Sequence, residues 1–296
     1  MKTGKASNLI GASLIVGAFG LLAWLERRRP LRRAIERKLT RERRNLAVAI
    51  VGAAALQLAE RPLVARMTML VERRRWGLLK LARVPAWLET ALAVLLLDYT
   101  LYVWHVLTHR VPLLWRFHAV HHVDLDLDAS TALRFHFGEL LLSVPWRAAQ
   151  ILTIGVSPRA FSIWQKLLFL NIIFHHSNVR LPLNAERALN RLIVTPRMHG
   201  IHHSMTLEET NSNWSSGLTA WDWLHKTLRL DVSQEEIEIG VPAYRRPEDV
   251  WLLKILAMPF AEERDVWQLL EDGPQLPEDV PPARVSLPAA RGETQA

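Results

Sequence analysis

The histidines of this chain lie in its central part and follow a repeated spacing. All 12 fall between positions 105 and 225 of the 296-residue sequence. The pattern His-x-x-His-His occurs at 118–122 and again at 199–203, and His105 and His109 are four positions apart. On a helix, residues three or four positions apart share a face, so each segment can offer up to three imidazoles to one centre. Because neutral imidazole binds iron, zinc, copper and nickel, the spacing predicts a metal site.

These three motifs contain more histidines than one metal ion accepts. An ion takes about four to six ligands, so two ions are expected. The chain has no cysteine, which excludes disulfides, zinc knuckles, iron–sulfur clusters and thiol nucleophiles and leaves nitrogen and oxygen as ligands. It also has no His-Glu-x-x-His motif, so a zinc peptidase would lack its general base.

The apolar residues, half of the chain, are concentrated in runs. Residues 7–25 carry no charge and are long enough to cross about 30 Å of hydrocarbon. Their main basic cluster follows them, which favours a retained helix over a signal peptide. Further apolar runs lie at 45–60, 86–107, 137–156 and 160–174. We therefore expect an all-α integral membrane protein with about four to five transmembrane or membrane-embedded helices and a cytosolic, helical, histidine-rich metal domain.

Two places in these runs contain helix-breaking signals. The run at 45–60 continues beyond Arg61, Pro62 and Arg66, which predicts a short or kinked span or a helix on the membrane surface. Ser157-Pro158-Arg159 separates the last two runs and predicts the turn of a helical hairpin.

The positive charge of the chain is placed beside a membrane segment. The net charge is +8, and much of the excess lies in residues 26–44, directly after the first apolar run. Such a cluster marks the cytoplasmic side and attracts anionic head groups, so no nucleic-acid partner is expected. The metal site of this multi-pass protein is then expected on the cytoplasmic side.

The expected organisation has three parts. Residues 1–85 would hold N-terminal membrane helices and the basic cytoplasmic segment, and 86–230 a histidine-rich catalytic core with membrane helices. Residues 231–296 would form a polar tail that is partly disordered, since 272–296 are rich in Pro, Ala, Glu and Arg.

From about residue 97 to 227 the chain resembles the fatty acid hydroxylase / sterol desaturase superfamily of membrane di-iron enzymes. The resemblance rests on LDYTLYVWHVLTHRVPLLWRFHAVHH (97–122), RFHFGE (134–139), FHHSNVRLP (174–182), TPRMHGIHHS (195–204) and WDWLHKT (221–227). Carried over position by position, it implies ten ligands: His105, His109, His118, His121, His122, His136, His176, His199, His202 and His203. His175, beside His176, is an additional histidine, and which of the two is the ligand stays open.

The resemblance also implies a chemistry. Two iron ions, for which zinc can substitute, would activate O₂ and oxidise a C–H bond of a sterol or fatty-acyl lipid by hydroxylation or desaturation, with electrons from an external donor protein. Two departures from the family pattern concern the access path or the substrate: residues 211–217 replace an Asn-Tyr-Gly element, and His225 and Lys226 replace Phe-Gly.

Carboxylates and a tyrosine near the histidines are candidates for orienting the ligands. Asp98 and Tyr102 lie seven and three positions before His105, so both can share its helical face. A carboxylate there can accept a ligand N–H and fix its tautomer, whereas the alternative for Asp98 is a cap or pair inside the bundle. Asp124 and Asp126 can act similarly on another ligand.

Two other classes of protein remain as alternatives. A membrane protein that binds or transports zinc without redox chemistry would place acidic and histidine residues deep within several spans. A b-type cytochrome would need single, well-separated histidines rather than triplets. His225, outside the repeated spacings, is expected to be an ordinary polar residue.

Overall fold

The computed structural model describes the backbone of residues 2–262 and 264, and the side chains from residue 11 onward except that of residue 12. All regular secondary structure in these residues is helical, as predicted, and the β-bridges are isolated pairs. The segment 272–296, predicted to be disordered, lies outside them. The helices are α1 (Lys2–Arg28), α2 (Lys38–Ala55), α3 (Arg61–Arg74), α4 (Ala86–Arg110), α5 (Pro112–His122), α6 (Phe137–Ile154), α7 (Pro158–His176), α8 (Leu183–Leu189), α9 (Pro196–His202), α10 (Leu207–Thr210), α11 (Ala220–His225) and α12 (Leu252–Ala257).

Two helical segments in the described part of the chain are long and apolar enough to cross a membrane. They are the continuous segment Lys38–Lys80, which contains α2 and α3, and α4. Residues 7–25, the first predicted span, are helical within α1, but side chains at the start of α1 lie outside the description.

The segment from α2 to α3 does not break at Pro62, contrary to one of the alternatives above. A π-helical turn, Leu56–Glu60, joins the two helices instead. Proline lacks an N–H, and its ring would collide with the carbonyl four residues earlier in a regular α-helix. The wider π-turn accommodates this ring, so the chain stays helical. Arg61 and Arg66 are exposed and do not interrupt the packed face.

The predicted turn between the last two apolar runs is confirmed. The two helices that it joins, α6 and α7, diverge from each other beyond the turn. α6 ends at Ile154, Gly155 adopts φ 87°, and Ser157 caps α7 by accepting a hydrogen bond from the Ala160 N–H at 3.1 Å. α4 packs against both helices, and a cavity lies between them beyond this point.

An apolar core holds together the half of the bundle that is remote from the histidines. It is built where α3, α4, α6 and α7 meet, and its buried members include Val71, Leu97, Ile151 and Trp164. Burying each of these side chains contributes roughly 1.5–3 kcal/mol. This half of the molecule therefore supports the histidine-rich end.

The histidine-rich end is held instead by buried ion pairs. Arg41 on α2 reaches the loop after α5, where its guanidinium contacts the carboxylates of Asp124, at 3.0 Å, and Asp128. Burial alone raises the pKa of Asp124, but Arg41, Arg134 and Arg44 outweigh it and lower the pKa to about 2. The carboxylate is thus ionised, and the pair ties α2 to this loop.

The segment after α11 packs on this end rather than extending from it. Val241 and Ala243 lie in one apolar cluster with Trp115 and Ala119 of α5. Val250 and Ile255 pack in another with residues of α2 and α5. Part of the predicted polar tail is therefore a cover over α5.

Gly77 and Gly155 mark the tightest backbone contact in the bundle. A Cβ on Gly77 would lie 2.2 Å from the backbone nitrogen of Gly155, and Gly77 has φ 103°. We expect Gly77→Ala to lower the stability by roughly 2 kcal/mol or more, because both the contact and the backbone conformation exclude a side chain. Thermal unfolding in detergent measures this, with Gly17→Ala as control, since its Cβ would meet nothing within 4 Å. Equal melting temperatures for the two variants would contradict the prediction.

Candidate metal centre

Two helices joined by a tight turn carry five of the histidines. His105 and His109 lie one turn apart near the end of α4. The chain turns at Val111, α5 begins at Pro112, and α5 ends with His118, His121 and His122. Proline suits the first turn of a helix because the missing N–H would be unpaired there.

Two other elements carry the remaining histidines of the centre. α7 delivers His176 at its last residue, and α9 delivers His199 and His202, with His203 directly after it. These helix ends meet those of α4 and α5, so the histidines converge although they come from distant parts of the sequence.

The histidines form two clusters, in each of which the candidate ligand atoms lie within 4.8 Å of one another. We name them the five-histidine and the four-histidine cluster. The first contains His105, His109, His118, His122 and His202, and the second His121, His176, His199 and His203. The clusters adjoin, because the rings of His122 and His203 stack with centroids 4.3 Å apart.

Each His-x-x-His-His motif serves both clusters, which corrects the expectation that a motif serves one centre. His118 and His122 face the five-histidine cluster, whereas His121 faces the other. The second motif is divided in the opposite sense, with His202 in the five-histidine cluster. The reason is helix geometry: at about 100° per residue, positions 118 and 122 point within about 40° of each other, and position 121 points about 100° away from position 122.

Five of these imidazoles donate a hydrogen bond from Nδ1, the nitrogen that faces away from the clusters, to an oxygen. The Nδ1 atoms lie 2.6–3.3 Å from their acceptors, namely His105 to the Trp214 carbonyl, His118 to Glu139 Oε1, His121 to the Arg134 carbonyl, His176 to the Ile172 carbonyl and His202 to the Ser212 carbonyl. A carbonyl only accepts, so Nδ1 must carry the proton in the four rings bonded to one. Nε2 is then left with a lone pair that points inward, as in metal-binding histidines.

The inward nitrogens fit a metal ion. In the four-histidine cluster, Nε2 of His176 lies 2.9 Å from that of His121 and 3.0 Å from that of His199. Two nitrogens bound to one ion at about 2.1 Å and at right angles are about 3.0 Å apart. His121 and His176 both direct lone pairs at this point, so their approach is unfavourable unless a cation lies between them.

The five-histidine cluster has the same character. The Nε2 atoms of His109, His122 and His202 are buried and have no hydrogen-bond partner. Such atoms are costly unless something binds them. The residues of both clusters therefore fit two metal ions.

Burial keeps the imidazoles in the form that binds metal. Removal from water lowers the pKa of His122, His199 and His203 well below the usual value, and neighbouring imidazoles lower it further. The pKa of His202 is lowered to about 3, mainly by burial. All four are thus neutral at physiological pH, as metal ligation requires.

His136 is the one residue of the ten expected ligands that the structure leaves outside the clusters. Its Nδ1 accepts the Gly138 N–H at 3.0 Å and caps α6, and its Nε2 donates to the Leu256 carbonyl at 3.2 Å. Both nitrogens are used in hydrogen bonds, which link the start of α6 to the backbone of α12.

Of the two adjacent histidines at the end of α7, His176 belongs to a cluster and His175 does not. The His175 ring packs on that of His199, with centroids 4.1 Å apart, and lines the neighbouring cavity. His225 is outside the clusters as well and stacks on Tyr102.

Asp98 and Tyr102 do not contact a ligand imidazole. Asp98 Oδ2 accepts the Leu218 N–H at 3.0 Å and Trp221 Nε1–H at 2.7 Å, and Tyr102 Oη bonds Thr227 Oγ1 at 3.1 Å. Both residues therefore fix the segment after residue 213. Since that segment contains the Trp214 carbonyl bonded to His105, their effect on the centre is indirect.

Asp124 and Asp126 also act on the backbone around the centre. Asp126 accepts the N–H groups of Ile35 and Glu36, at 2.9 and 2.8 Å. Asp124 holds Asn45, whose side chain bonds Arg134 at 2.9 Å. The link from Asp124 to His121 thus runs through Arg134, whose carbonyl faces His121 Nδ1.

Glu139 is the orienting carboxylate that sequence reasoning missed. Its Oε1 lies 2.9 Å from His118 Nδ1, and its Oε2 is buried without a partner. The signal was present, because a carboxylate in the first turn of an apolar membrane run is expensive and usually functional.

A cavity of about 810 Å³ opens from the clusters. Histidines of both form one end of it, and it continues between α6 and α7 along α2, the π-turn and α3. Its wall is largely apolar and includes Leu101, Phe135, Leu140, Leu168 and Phe169. A volume of this size suits one elongated apolar ligand.

One protein family has a model that matches the central part of the chain. A family model described as "Fatty acid hydroxylase" matches residues 90–227, which include every histidine of the two clusters. The matched segment, just under half of the chain, is thus similar to the fatty acid hydroxylase family. The resemblance seen in the sequence is thereby confirmed.

Curated relatives of the family match over similar lengths. The ornithine lipid hydroxylase OlsE of Rhizobium tropici is 30% identical over 158 residues, which are 53% of this chain and 46% of that protein. Alkylglycerol monooxygenase of Homo sapiens is 26% identical over 50% of this chain and 32% of its own length. A cholesterol 25-hydroxylase-like protein of Danio rerio is 30% identical over 48% of this chain and 56% of its own length. The matched part thus spans about half or less of these relatives, and no solved structure matches the chain.

Ligand variants test the two clusters. His121→Ala and His202→Ala each remove one inward nitrogen, from different clusters, and we expect both to abolish metal occupancy because the clusters adjoin. Elemental analysis of the purified proteins measures this. His136→Ala is the matched control and should keep the metal. Unchanged metal content in both ligand variants would refute the assignment.

Glu139→Ala removes the acceptor that orients His118. Loss of such a partner typically weakens metal binding about 10–100-fold. Titration of the metal-free protein with Fe²⁺ or Zn²⁺ measures this affinity, and Glu139→Gln, which keeps an acceptor oxygen, should lose less. Identical affinities for the wild type and Glu139→Ala would contradict the role of Glu139.

Proposed function

We propose that this protein is a membrane-bound di-iron oxygenase that hydroxylates a C–H bond of a lipid, using O₂ and an external electron donor. The observation that carries the proposal is the pair of histidine clusters, nine imidazoles in all, that opens onto one largely apolar cavity. A centre that only stored or transported zinc would have no use for an apolar cavity that ends at the ligands.

Iron suits the ligand set and the family. Nitrogen ligands suit both iron and zinc, so zinc can substitute for iron at the same sites. When bound, two iron ions would supply the activation of O₂ and the removal of hydrogen from an unactivated C–H bond. One oxygen atom would then enter the product and the other would leave as water, with two electrons from the donor and two protons from solvent.

The chain's own contribution is position and exclusion of water. The five outer hydrogen bonds hold imidazoles in one tautomer and orientation. His105, His118, His121, His176 and His199 form the end wall of the cavity, so a chain inserted into it presents a C–H bond to both clusters. Apolar walls keep water from that end and favour a lipid over a polar substrate.

The names of the relatives favour hydroxylation over desaturation. The ornithine lipid hydroxylase, alkylglycerol monooxygenase and cholesterol 25-hydroxylase differ in substrate, but each name describes the insertion of oxygen into a lipid. We extend this shared reaction to the present chain, with a substrate of sterol or fatty-acyl type.

We further propose that about four to five helices lie in the membrane and that the metal centre faces the cytoplasm. Residues of the basic segment 26–44 contact the histidine-rich end directly: Arg41 and Arg44 pair with Asp124, and Arg32 donates to Gln234 at 2.6 Å. The basic segment and the centre therefore lie on one side, and basic segments beside spans are usually cytoplasmic.

Lipid analysis under ¹⁸O₂ tests the reaction. Cells that express the wild type should accumulate a lipid carrying one ¹⁸O atom, whereas cells that express His202→Ala should not. The purified protein should contain about two iron ions per chain. Stoichiometric zinc with no O₂-dependent lipid product would support the zinc-binding alternative and overturn the proposal.

A further inference from the structure

The end of the cavity remote from the histidines contains a buried arginine. Arg147 lies on α6, eight residues after Glu139, which is about 12 Å along the helix. It lines the cavity together with Glu60 and Arg61, and only 8% of its surface is exposed. A cation at this place, within an otherwise apolar bundle, is expensive and usually functional.

The neighbours of Arg147 fix the position of its guanidinium but do not use all of its hydrogen-bond donors. Its Nη1 donates to Gln150 Oε1 at 2.5 Å, and its guanidinium stacks over the Trp164 ring at 4.5 Å from the centroid. Its Nε is buried and has no hydrogen-bond partner. These contacts fix the plane of the guanidinium and leave donor capacity in a group that binds carboxylates in a bidentate manner.

The charges around Arg147 leave a positive excess. The carboxylate of Glu60 is 3.9 Å from Nε, which is too long for a hydrogen bond. Arg61 adds a second positive charge at the exposed edge and is held by Gln57 at 2.8 Å. The other carboxylate of the cavity wall, Glu139, is engaged by His118 at the opposite end.

We propose that Arg147 binds the carboxylate of a single-chain fatty acid, whose alkyl chain follows the cavity to the histidine clusters. The inference rests on the proposed function and names its substrate class. A cavity of about 810 Å³ has room for such a chain. Because Arg147 lies about 12 Å along α6 from Glu139, which contacts His118, we expect the oxidised carbon in the middle of the chain, on the order of eight to ten bonds from the carboxylate.

Binding measurements with chain-matched probes test this assignment. Purified, metal-loaded protein is titrated with palmitate, 1-hexadecanol and hexadecyl phosphate. We expect palmitate to bind best to the wild type and Arg147→Gln to weaken it at least tenfold, with little change for hexadecanol and unchanged metal content. Arg159→Gln, an exposed arginine outside the cavity wall, is the matched control and should bind palmitate normally.

Glu60→Gln separates binding from a structural ion pair. If Arg147 binds substrate, Glu60 competes with the carboxylate, so Glu60→Gln should bind palmitate a few-fold more tightly. If the two residues only stabilise each other, both Arg147→Gln and Glu60→Gln should lower the melting temperature and weaken palmitate and hexadecanol alike. That result, or tighter binding of hexadecyl phosphate than of palmitate, would overturn the inference.

Measuring lipid oxidation alongside binding distinguishes this inference from the proposed function. Palmitate that binds through Arg147 but is not oxidised would contradict the oxygenase and leave the carboxylate site standing. Lipid oxidation at an unchanged rate and carbon in Arg147→Gln would contradict the carboxylate site and leave the oxygenase standing.

Discussion

The constraint on which this fold depends is the need to hold nine imidazoles, eight of them buried and His109 half-buried, with their inward nitrogens directed at two points. Without cations such a cluster is unfavourable, since like ends of dipoles face each other and buried nitrogens lack partners. The surrounding structure opposes this by gripping the outer nitrogens. His105 is held from the segment near Trp214, His118 from α6 and His202 from the Ser212 carbonyl. The contacts of His105 and His118 join different helices and segments of the chain, so the centre and the packing of the chain around it depend on each other.

The two halves of the molecule meet this constraint by different means. The half remote from the histidines relies on apolar packing of α3, α4, α6 and α7 and also contains the cavity. The histidine-rich half consists of short helices and loops, with two smaller apolar clusters packed on α5. Its loops are also tied by ionised pairs such as Arg41 with Asp124, whose geometry is directional and in which neighbouring arginines keep the carboxylate ionised. Precision is thus concentrated where ligands must be placed.

The sequence predicted those features that depend on local spacing. The histidine triplets, the apolar runs and the turn at Ser157 are local, and the structure has them where they were expected. Roles that depend on distant partners were not predictable. His136 stands in a promising motif but caps α6 and meets α12, and Glu139, three residues later, takes the orienting role. Asp98 shares a helical face with His105, yet its partners, Leu218 and Trp221, are more than a hundred residues away in sequence.

The reciprocal division of the two histidine triplets has an evolutionary consequence. Each triplet contributes two rings to one cluster and one to the other, in opposite senses. Inserting or deleting a single residue within either triplet rotates the downstream residues by about 100° and damages both clusters at once. An insertion or deletion within a triplet therefore cannot remove one site and leave the other intact. The five-residue spacing of each triplet is constrained by both sites together.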